Sequence, residues 1–286
     1  MSNEPSASLS TLPNDWWRQL STCKILVDWF RCHLVGLFFS IQTEDHRQHV
    51  VFTGFLLYYK QILLWITAGH VIDKTREILS DRKTNVKVMR WLDCSQIPGA
   101  ESIPVHNRNL QMFSATQNGI DFGAVAITGL DAENMLRNRR VEPITEQIWK
   151  DIHLAKPEGY YVIGYPEIWQ DHKVELLPDN RVLHSFGATV ACLPVSRIKY
   201  QGSSRANREF WNAPEAFYGQ ILPFVEGPEY QPESIVGMSG GPLFSVERDP
   251  LERIRYRLFG IQRSWDRDER LIRAEPIHKI IGLIKI

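Results

Sequence analysis

Three short stretches of this 286-residue chain hold residue types that together could carry out acyl transfer. The first is Gly237-Met238-Ser239-Gly240-Gly241-Pro242. A serine flanked by glycines presents its hydroxyl on a tight turn with no side chain in the way. Glycine also opens backbone angles that other residues resist, so amide N–H groups can converge on one point. Acyl transfer needs both a nucleophile and donors aimed at the oxygen that becomes negative. The second stretch, Leu64-Trp65-Ile66-Thr67-Ala68-Gly69-His70-Val71-Ile72, is an apolar strand-like run ending at a small-residue turn that carries a histidine. The third, Asn118-Gly119-Ile120-Asp121-Phe122-Gly123-Ala124-Val125-Ala126-Ile127, is a turn with an aspartate at the mouth of another apolar run. A histidine exchanges protons near neutral pH. Each stretch also has a bland reading: a Gly-rich hairpin, a buried histidine, a capping aspartate.

Taken together and in their chain order of His, Asp and Ser, the segments resemble the trypsin-like (chymotrypsin-fold) serine peptidases, whose patterns are T-A-x-H, D-[hydrophobic]-A-[hydrophobic] and G-x-S-G-G-P. The resemblance covers roughly residues 35 to 286. It implies that His70 takes the Ser239 proton and returns it to the leaving amine, and that Asp121 orients the ring. It also implies an oxyanion hole formed by the Gly237 and Ser239 N–H groups. Thr53-Gly54-Phe55 matches the family strand beneath the histidine turn, and Gly164-Tyr165-Pro166 matches the end of a second-barrel strand. The family wall Gly-Ile-Val-Ser-Trp-Gly corresponds to Gly260-Ile261-Gln262-Arg263-Ser264-Trp265-Asp266, with one residue of register open; Ser264 and Trp265 are its candidate substrate-binding residues. Counting back from the nucleophile as the family pattern does places Glu233 at the base of the S1 pocket. A desolvated carboxylate there would require a substrate Arg or Lys. The alternative is a Glu233 that points to solvent or pairs with Arg263.

Two departures from the digestive type bear on regulation. Met238 precedes the nucleophile where zymogen-type members have Asp, so a newly cut N-terminal ammonium has no partner there. Val71 stands where secreted members commonly carry a cysteine after the histidine. Cys23, Cys32, Cys94 and Cys192 show no C-x-x-C and no zinc-ligand spacing, which fits a disulfide-free chain in a reducing cytoplasm.

Composition narrows the remaining classes. Lys+Arg and Asp+Glu balance at 33 each, so no global field favours nucleic acid or an anionic membrane. Arg137, Arg139 and Arg140 form a small basic cluster that a solvated linker explains. Ile25 to Ile41 is apolar, yet Asp28, Arg31 and His33 inside it oppose a membrane span. His46 and His49 lack a third ligand, and there is no phosphate loop or dinucleotide fingerprint. Neither metal nor cofactor is expected; the expected partner is a protein or peptide substrate.

The elements that would position the three groups are short strands in quick succession, which predict an all-β fold of two six-stranded antiparallel β-barrels. The predicted layout has an N-terminal extension at 1–34, a first barrel at 35–130 with His70 and Asp121, a linker at 131–157, and a second barrel at 158–286 ending in a helix from Pro276 to Ile286. The extension is expected to be disordered to Pro13 and then helical from about Asn14. Trp16, Trp17, Leu20, Ile25 and Trp29 would pack on the body; a second reading has this helix dock a regulatory partner. Strands are predicted at Val35–Ile41, His49–Tyr59, Gln61–Thr67, Val86–Asp93, Phe113–Ala115, Asp121–Ile127, Gly159–Pro166, Val182–Leu193, Ile221–Val225, Pro242–Val246, Arg257–Trp265 and Leu271–Ala274. Asp131–Arg140 is predicted helical, and Gln201–Arg208 a polar insertion.

The resulting expectation is a cytoplasmic serine endopeptidase with basic P1 preference, acting on a dedicated partner as in stress or antiphage modules. Two other readings are a catalytically silent protease-fold binding module and an esterase or acyltransferase using the same three groups.

Overall fold

The computed structural model describes residues 16–43, 47–81, 84–93, 102–106, 110–116, 120–137, 141–150, 157–176, 182–201, 209–224 and 232–284. The expected disordered start, His46, Cys94, Asn118-Gly119, Arg139, Arg140 and the insertion from 202 to 208 lie outside the described residues.

The N-terminal half forms one antiparallel sheet. Its strands are β1 (Leu34–Gln42), β2 (Arg47–Tyr59), β3 (Ile62–Thr67), β4 (Asn85–Asp93), β5 (Ile103–Pro104), β6 (Gln111–Ala115) and β7 (Phe122–Ile127), in the order β5-β4-β1-β2-β3-β7-β6. Lys60 and Gln61, both at positive φ, join β2 to β3 in a two-residue hairpin whose twist matches that of the strands. Its inner face packs Leu37, Phe39, Leu56, Trp65, Trp91 and Val125. Six strands were expected here; among the described residues the sheet has seven, and the short outer strands β5 and β6 do not pair with each other.

The C-terminal half is a closed six-stranded barrel. Here β8 (Gly159–Gly164), β11 (Ala191–Arg197), β12 (Phe217–Ile221), β13 (Pro242–Arg248), β14 (Ile254–Asp266) and β15 (Leu271–Pro276) run in the order β11-β12-β15-β14-β13-β8. The predicted strand 182–193 is two strands of different sheets: β10 (Val182–Ala188) pairs with β9 (Gln170–Leu176) in a separate hairpin, and β11 enters the barrel. The strand predicted at Ile221–Val225 instead ends at Ile221, because Pro223 has no N–H to give to a ladder.

Five α-helices accompany the strands in the described residues: α1 (Leu20–Phe30), α2 (Gly69–Ser80), α3 (Gly129–Leu136), α4 (Glu146–Trp149) and the short C-terminal α5 (Ile277–Ile281). The predicted C-terminal helix is thus shorter than expected. None of the helices is long and apolar enough to cross a membrane.

The N-terminal extension belongs to the body. Trp16 and Trp17 lie in a 3-10 turn and are buried, and Leu26 and Phe30 on α1 join the core between the two halves. Ile25, expected to pack, is 48% exposed, because the buried face of α1 runs through Cys23, Leu26 and Phe30. Phe30 stacks on Phe244 of β13 at 4.4 Å. The Trp16 indole donates to Glu158 Oε2 at 2.6 Å, and the Arg248 guanidinium donates to the same carboxylate. Burial alone would raise the Glu158 carboxyl, but the Arg248 and Trp16 hydrogen bonds outweigh it and hold the group below the usual carboxylate range. His33, at the start of β1, faces the Glu142 carbonyl at 2.5 Å and the Tyr256 hydroxyl at 2.9 Å, and burial depresses its pKa.

Cys23, Cys32 and Cys192 are free thiols. Cys23 Sγ donates to the Cys192 carbonyl at 3.2 Å, tying α1 to β11. Burial and the neighbouring Glu142 push the Cys32 thiol up to about 12.

Trp16→Ala is expected to destabilise the chain by about 3–5 kcal/mol, the usual cost of emptying a buried tryptophan site. The Glu158 contribution has a definite sign. Because its folded pKa is depressed, its stabilisation is present above the ordinary glutamate pKa and is lost as pH falls through the lowered folded value. Melting curves of wild type and Glu158→Gln should therefore differ most near neutrality and converge in acid; a gap constant with pH would refute this. Reductant should leave the melting temperature unchanged, whereas a disulfide would contribute about 2–4 kcal/mol and show as a drop.

Candidate active site

His70 and Asp121 meet because β3 and β7 pair. In that ladder Thr67 lies opposite Gly123, so the chain leaving β3 and the residue entering β7 are neighbours. The expected turn at His70 is the first turn of α2, which buries Val71, Ile72, Thr75 and Ile78 and leaves its opposite face to water. Asp121 Oδ1 accepts the His70 backbone N–H at 2.8 Å, and Oδ2 meets Nδ1 at 2.7 Å. One carboxylate thus holds both the start of the helix and the ring. Since an ionised carboxylate only accepts, Nδ1 carries the hydrogen and Nε2 is left as the base. The histidine side chain is 51% exposed, while Asp121 is buried behind it. Burial alone would raise the Asp121 carboxyl; the His70 hydrogen bonds and the Arg263 charge outweigh it, and the pKa lies below the usual value.

Ser239 arrives from the other half, on the loop before β13. Gly237 and Gly240 both have positive φ, at 95° and 93°. Gly240 sits at the closest approach of the two halves: a Cβ there would lie 2.0 Å from Thr67 Oγ1 and 2.5 Å from the Thr53 carbonyl. Thr53 Oγ1 donates to the Gly237 carbonyl at 2.7 Å and accepts from the Tyr165 N–H at 3.0 Å, while Thr67 Oγ1 donates to the Thr53 carbonyl at 2.7 Å. Along the serine loop, the N–H groups of Met238, Gly240 and Gly241 donate to the carbonyls of Ile235, Gln262 and Met238. Those of Gly237 and Ser239 donate to nothing among the described residues, which leaves them available to a ligand. Met238 is fully buried in the barrel core, against Gly164. The Ser239 hydroxyl donates to the Arg263 carbonyl at 3.3 Å.

A cleft of about 720 Å³ runs between the halves and is lined by His70, Gly237, Ser239 and Trp265 among others. Of the remaining expected substrate-binding residues, Ser264 does not line it, and its hydroxyl is buried without a hydrogen-bond partner among the described residues. Glu233 is exposed and outside the lining. The desolvation that would make it demand a cation is absent, so the expected basic S1 pocket is not found at this residue. In the β14–β15 ladder Gln262 faces Ala274 and Ser264 faces Arg273, so Arg263 is an extra, bulged residue. Its guanidinium pairs with Glu275 at 2.9 Å and lies 3.8 Å from Asp121 Oδ2.

Thr53 and Thr67 stand in segments that the sequence singled out, but their hydrogen bonds across the junction, Glu275 and helix α2 were not expected from it. Nor was a second histidine–aspartate couple, in which Asp131 Oδ1 accepts from the His106 backbone N–H at 3.0 Å and meets its Nδ1 at 2.7 Å. It stands at the start of α3, apart from the cleft. No cluster suited to a metal ion occurs among the described residues.

No family model matches the sequence, and no curated protein does. Among solved structures the chain is similar to the Rv3671c protease from M. tuberculosis in its active form, with 12% identity, 90% of this chain and 81% of that chain covered, and a TM-score of 0.45. It is also similar to GrC, with 15% identity, coverage of 88% and 92%, and a TM-score of 0.49. For the protease Anisep from Arthrobacter nicotinovorans the values are 11%, 85% and 89%, and 0.42. At these identities and scores none of them bears on what this chain does. The architecture itself, a closed barrel beside a second antiparallel sheet with a C-terminal helix, is the chymotrypsin-like two-barrel fold.

Gly240→Ala is expected to destabilise the protein by about 2 kcal/mol or more, through positive φ and the clash with Thr67. It should also shift the His70 imidazole resonances, since the serine loop must retreat. An unchanged melting temperature and spectrum would show that the two halves do not meet as described.

Proposed function

We propose that the chain is a serine endopeptidase. The observation that carries this reading is the convergence of an Asp121-held His70 and a glycine-flanked Ser239 in one cleft, with unengaged N–H groups at Gly237 and Ser239. Ser239 Oγ donates to the Arg263 carbonyl at 3.3 Å, a long bond that it must give up to hand its proton to His70 Nε2. As Oγ attacks the scissile carbonyl, Nε2 takes its proton. The carbonyl oxygen becomes an oxyanion held by the Gly237 and Ser239 N–H groups, an interaction whose loss costs about 3–4 kcal/mol of barrier in comparable sites. The protonated ring then gives its proton to the departing amine, leaving an acyl-Ser239 that water hydrolyses with His70 again as base.

This chemistry orients the substrate. Because His70 must reach the leaving amine, the segment after the scissile bond lies on the His70 side of Ser239. There the cleft runs between β2 and α2 over Val50, Phe52, Val71 and Ile78, with Lys74 and Glu77 paired at its rim. The segment before the bond lies toward Trp265 and Glu167. Apolar residues after the cut are therefore favoured over a basic P1 as the determinant of cleavage. Cytoplasmic action on a dedicated protein partner belongs to the same proposal, supported by Val71 in place of the usual cysteine and by Met238 in place of the zymogen aspartate.

A fluorophosphonate should label Ser239 in wild type and not in Ser239→Ala. Proteome-wide mapping of new N-termini, with Ser239→Ala as control, should then show cleavages with apolar residues after the cut. Ser239→Ala and His70→Ala should abolish cleavage, and Asp121→Asn should lower kcat by about 10⁴. Labelling without any cleavage would favour an esterase or acyltransferase, and no labelling at all would leave a binding module.

A further inference from the structure

Arg263 touches both ends of the catalytic array. Its carbonyl receives the Ser239 hydroxyl at 3.3 Å. Its Nε lies 3.8 Å from Asp121 Oδ2, the same oxygen that meets His70 Nδ1 at 2.7 Å. Its Nη1 donates to Glu275 Oε1 at 2.9 Å. The environment is largely dry: the Arg263 side chain is 13% exposed and that of Glu275 is 4% exposed. The bulge explains the placement, because without the extra residue the wall of β14 would not turn this side chain toward Asp121.

We propose that Arg263 is a positioning residue that sets the basicity of the His70–Asp121 couple, with Glu275 as its counter-charge. A cation sharing Asp121 opposes the imidazolium that forms on His70. It therefore competes with that imidazolium for the same carboxylate oxygen and weakens the hold of Asp121 on the protonated ring. Glu275 moderates this by drawing the guanidinium toward β15. The charged groups around Asp121 are His70 on α2, Arg263 on β14 and, behind Arg263, Glu275 and Arg273 on β15. Arg273 itself is pushed down by burial and by the Arg263 charge. Asp121 is lowered partly by Arg263, as the geometry requires. The catalytic consequence rests on the endopeptidase reading; the electrostatic coupling does not.

The two charges predict shifts of opposite sign, which a merely structural role would not produce. The test is an NMR titration of the His70 imidazole in the full chain, in wild type, Glu275→Gln and Arg263→Gln/Glu275→Gln. Glu275→Gln removes the negative charge that draws the Arg263 guanidinium toward β15, and the His70 midpoint should fall by about 0.5 pH unit or more. The double variant removes the cation without stranding a buried carboxylate, and the midpoint should rise above wild type by about the same amount. The single variant keeps a neutral acceptor for the guanidinium, so a double variant that failed to fold would still leave one arm of the test. Midpoints that coincide with wild type, or that move in the same direction in both variants, overturn the proposal. The acidic limb of kcat/KM should follow the NMR midpoints. Shifted midpoints in a chain that cleaves nothing would sustain the coupling and overturn the endopeptidase reading; cleavage with unmoved midpoints would do the reverse.

Discussion

The site depends on one close contact, that of Gly240 with Thr67 and Thr53 across the junction of the two halves. His70 and Asp121 are placed by the first sheet alone, and Ser239 by the barrel alone. Nothing within either half aligns the nucleophile with its base. The alignment is made where a residue without a side chain lets the serine loop lie against the ends of β2 and β3. Two buried hydroxyls complete it. Thr53 and Thr67 are fully buried, and each gives its proton to a backbone carbonyl, so neither hydroxyl is a stranded donor. The Thr53 bond ends on the Gly237 carbonyl, so the same contact that sets the distance between the halves also sets the tilt of the peptide after Gly237. Shape and hydrogen bonding therefore act on the same few atoms.

The N-terminal extension reinforces this junction from behind. Trp16, Leu26 and Phe30 fill the space between the halves, and the Glu158–Arg248 pair pins the Trp16 ring to the barrel. His33 adds a polar tie from the start of β1 to the residue 142 carbonyl and to Tyr256 on β14. A relative movement of the halves would have to open this apolar layer, at about 25 cal/mol for each Å² of apolar surface exposed. The extension is thus part of the scaffold that keeps Ser239 in register with His70, and its buried face is already occupied by the body of the protein.

What the sequence disclosed and what it hid divide along physical lines. The three motif segments were legible because the chemistry restricts residue type at each position: a glycine at positive φ, a serine, a histidine, an aspartate beside an apolar strand. Strands with clear alternation or strongly apolar runs, such as β1 to β3 and β13, were legible for the same reason. The helix at His70 was hidden by the apolar run before it, although Val71, Ile72, Thr75 and Ile78 have helical spacing. The split of residues 182–193 depends on which partner each half finds, a non-local matter that no local pattern states. Glu233 shows the same limit. Its distance from Ser239 along the chain does not determine where its side chain points, and it points to water. The register of the β14 wall could not be read because a bulge leaves no local signature in Gln262-Arg263-Ser264; only the pairing with β15 reveals it.

The bulge also decides how the two sides of the cleft differ. On the acyl side, the inserted residue turns a cation inward toward Asp121, so β14 contributes to the electrostatics of the base as well as to the wall. Ser264 then sits with a buried hydroxyl and no place in the lining. On the leaving-group side, α2 continues for three turns beyond His70 and walls a trough with apolar residues. A carboxylate deep under the acyl side would have to coexist with the Arg263–Glu275 pair, whose arginine carbonyl accepts from Ser239, and Glu233 is not in the lining. On the proposed endopeptidase reading, selection by apolar contact over α2 and β2 needs no buried charge, and it acts on the half of the substrate that His70 must protonate. Discrimination and proton transfer then fall on the same face, so a poorly seated leaving group would be misaligned with Nε2 and would be released uncut.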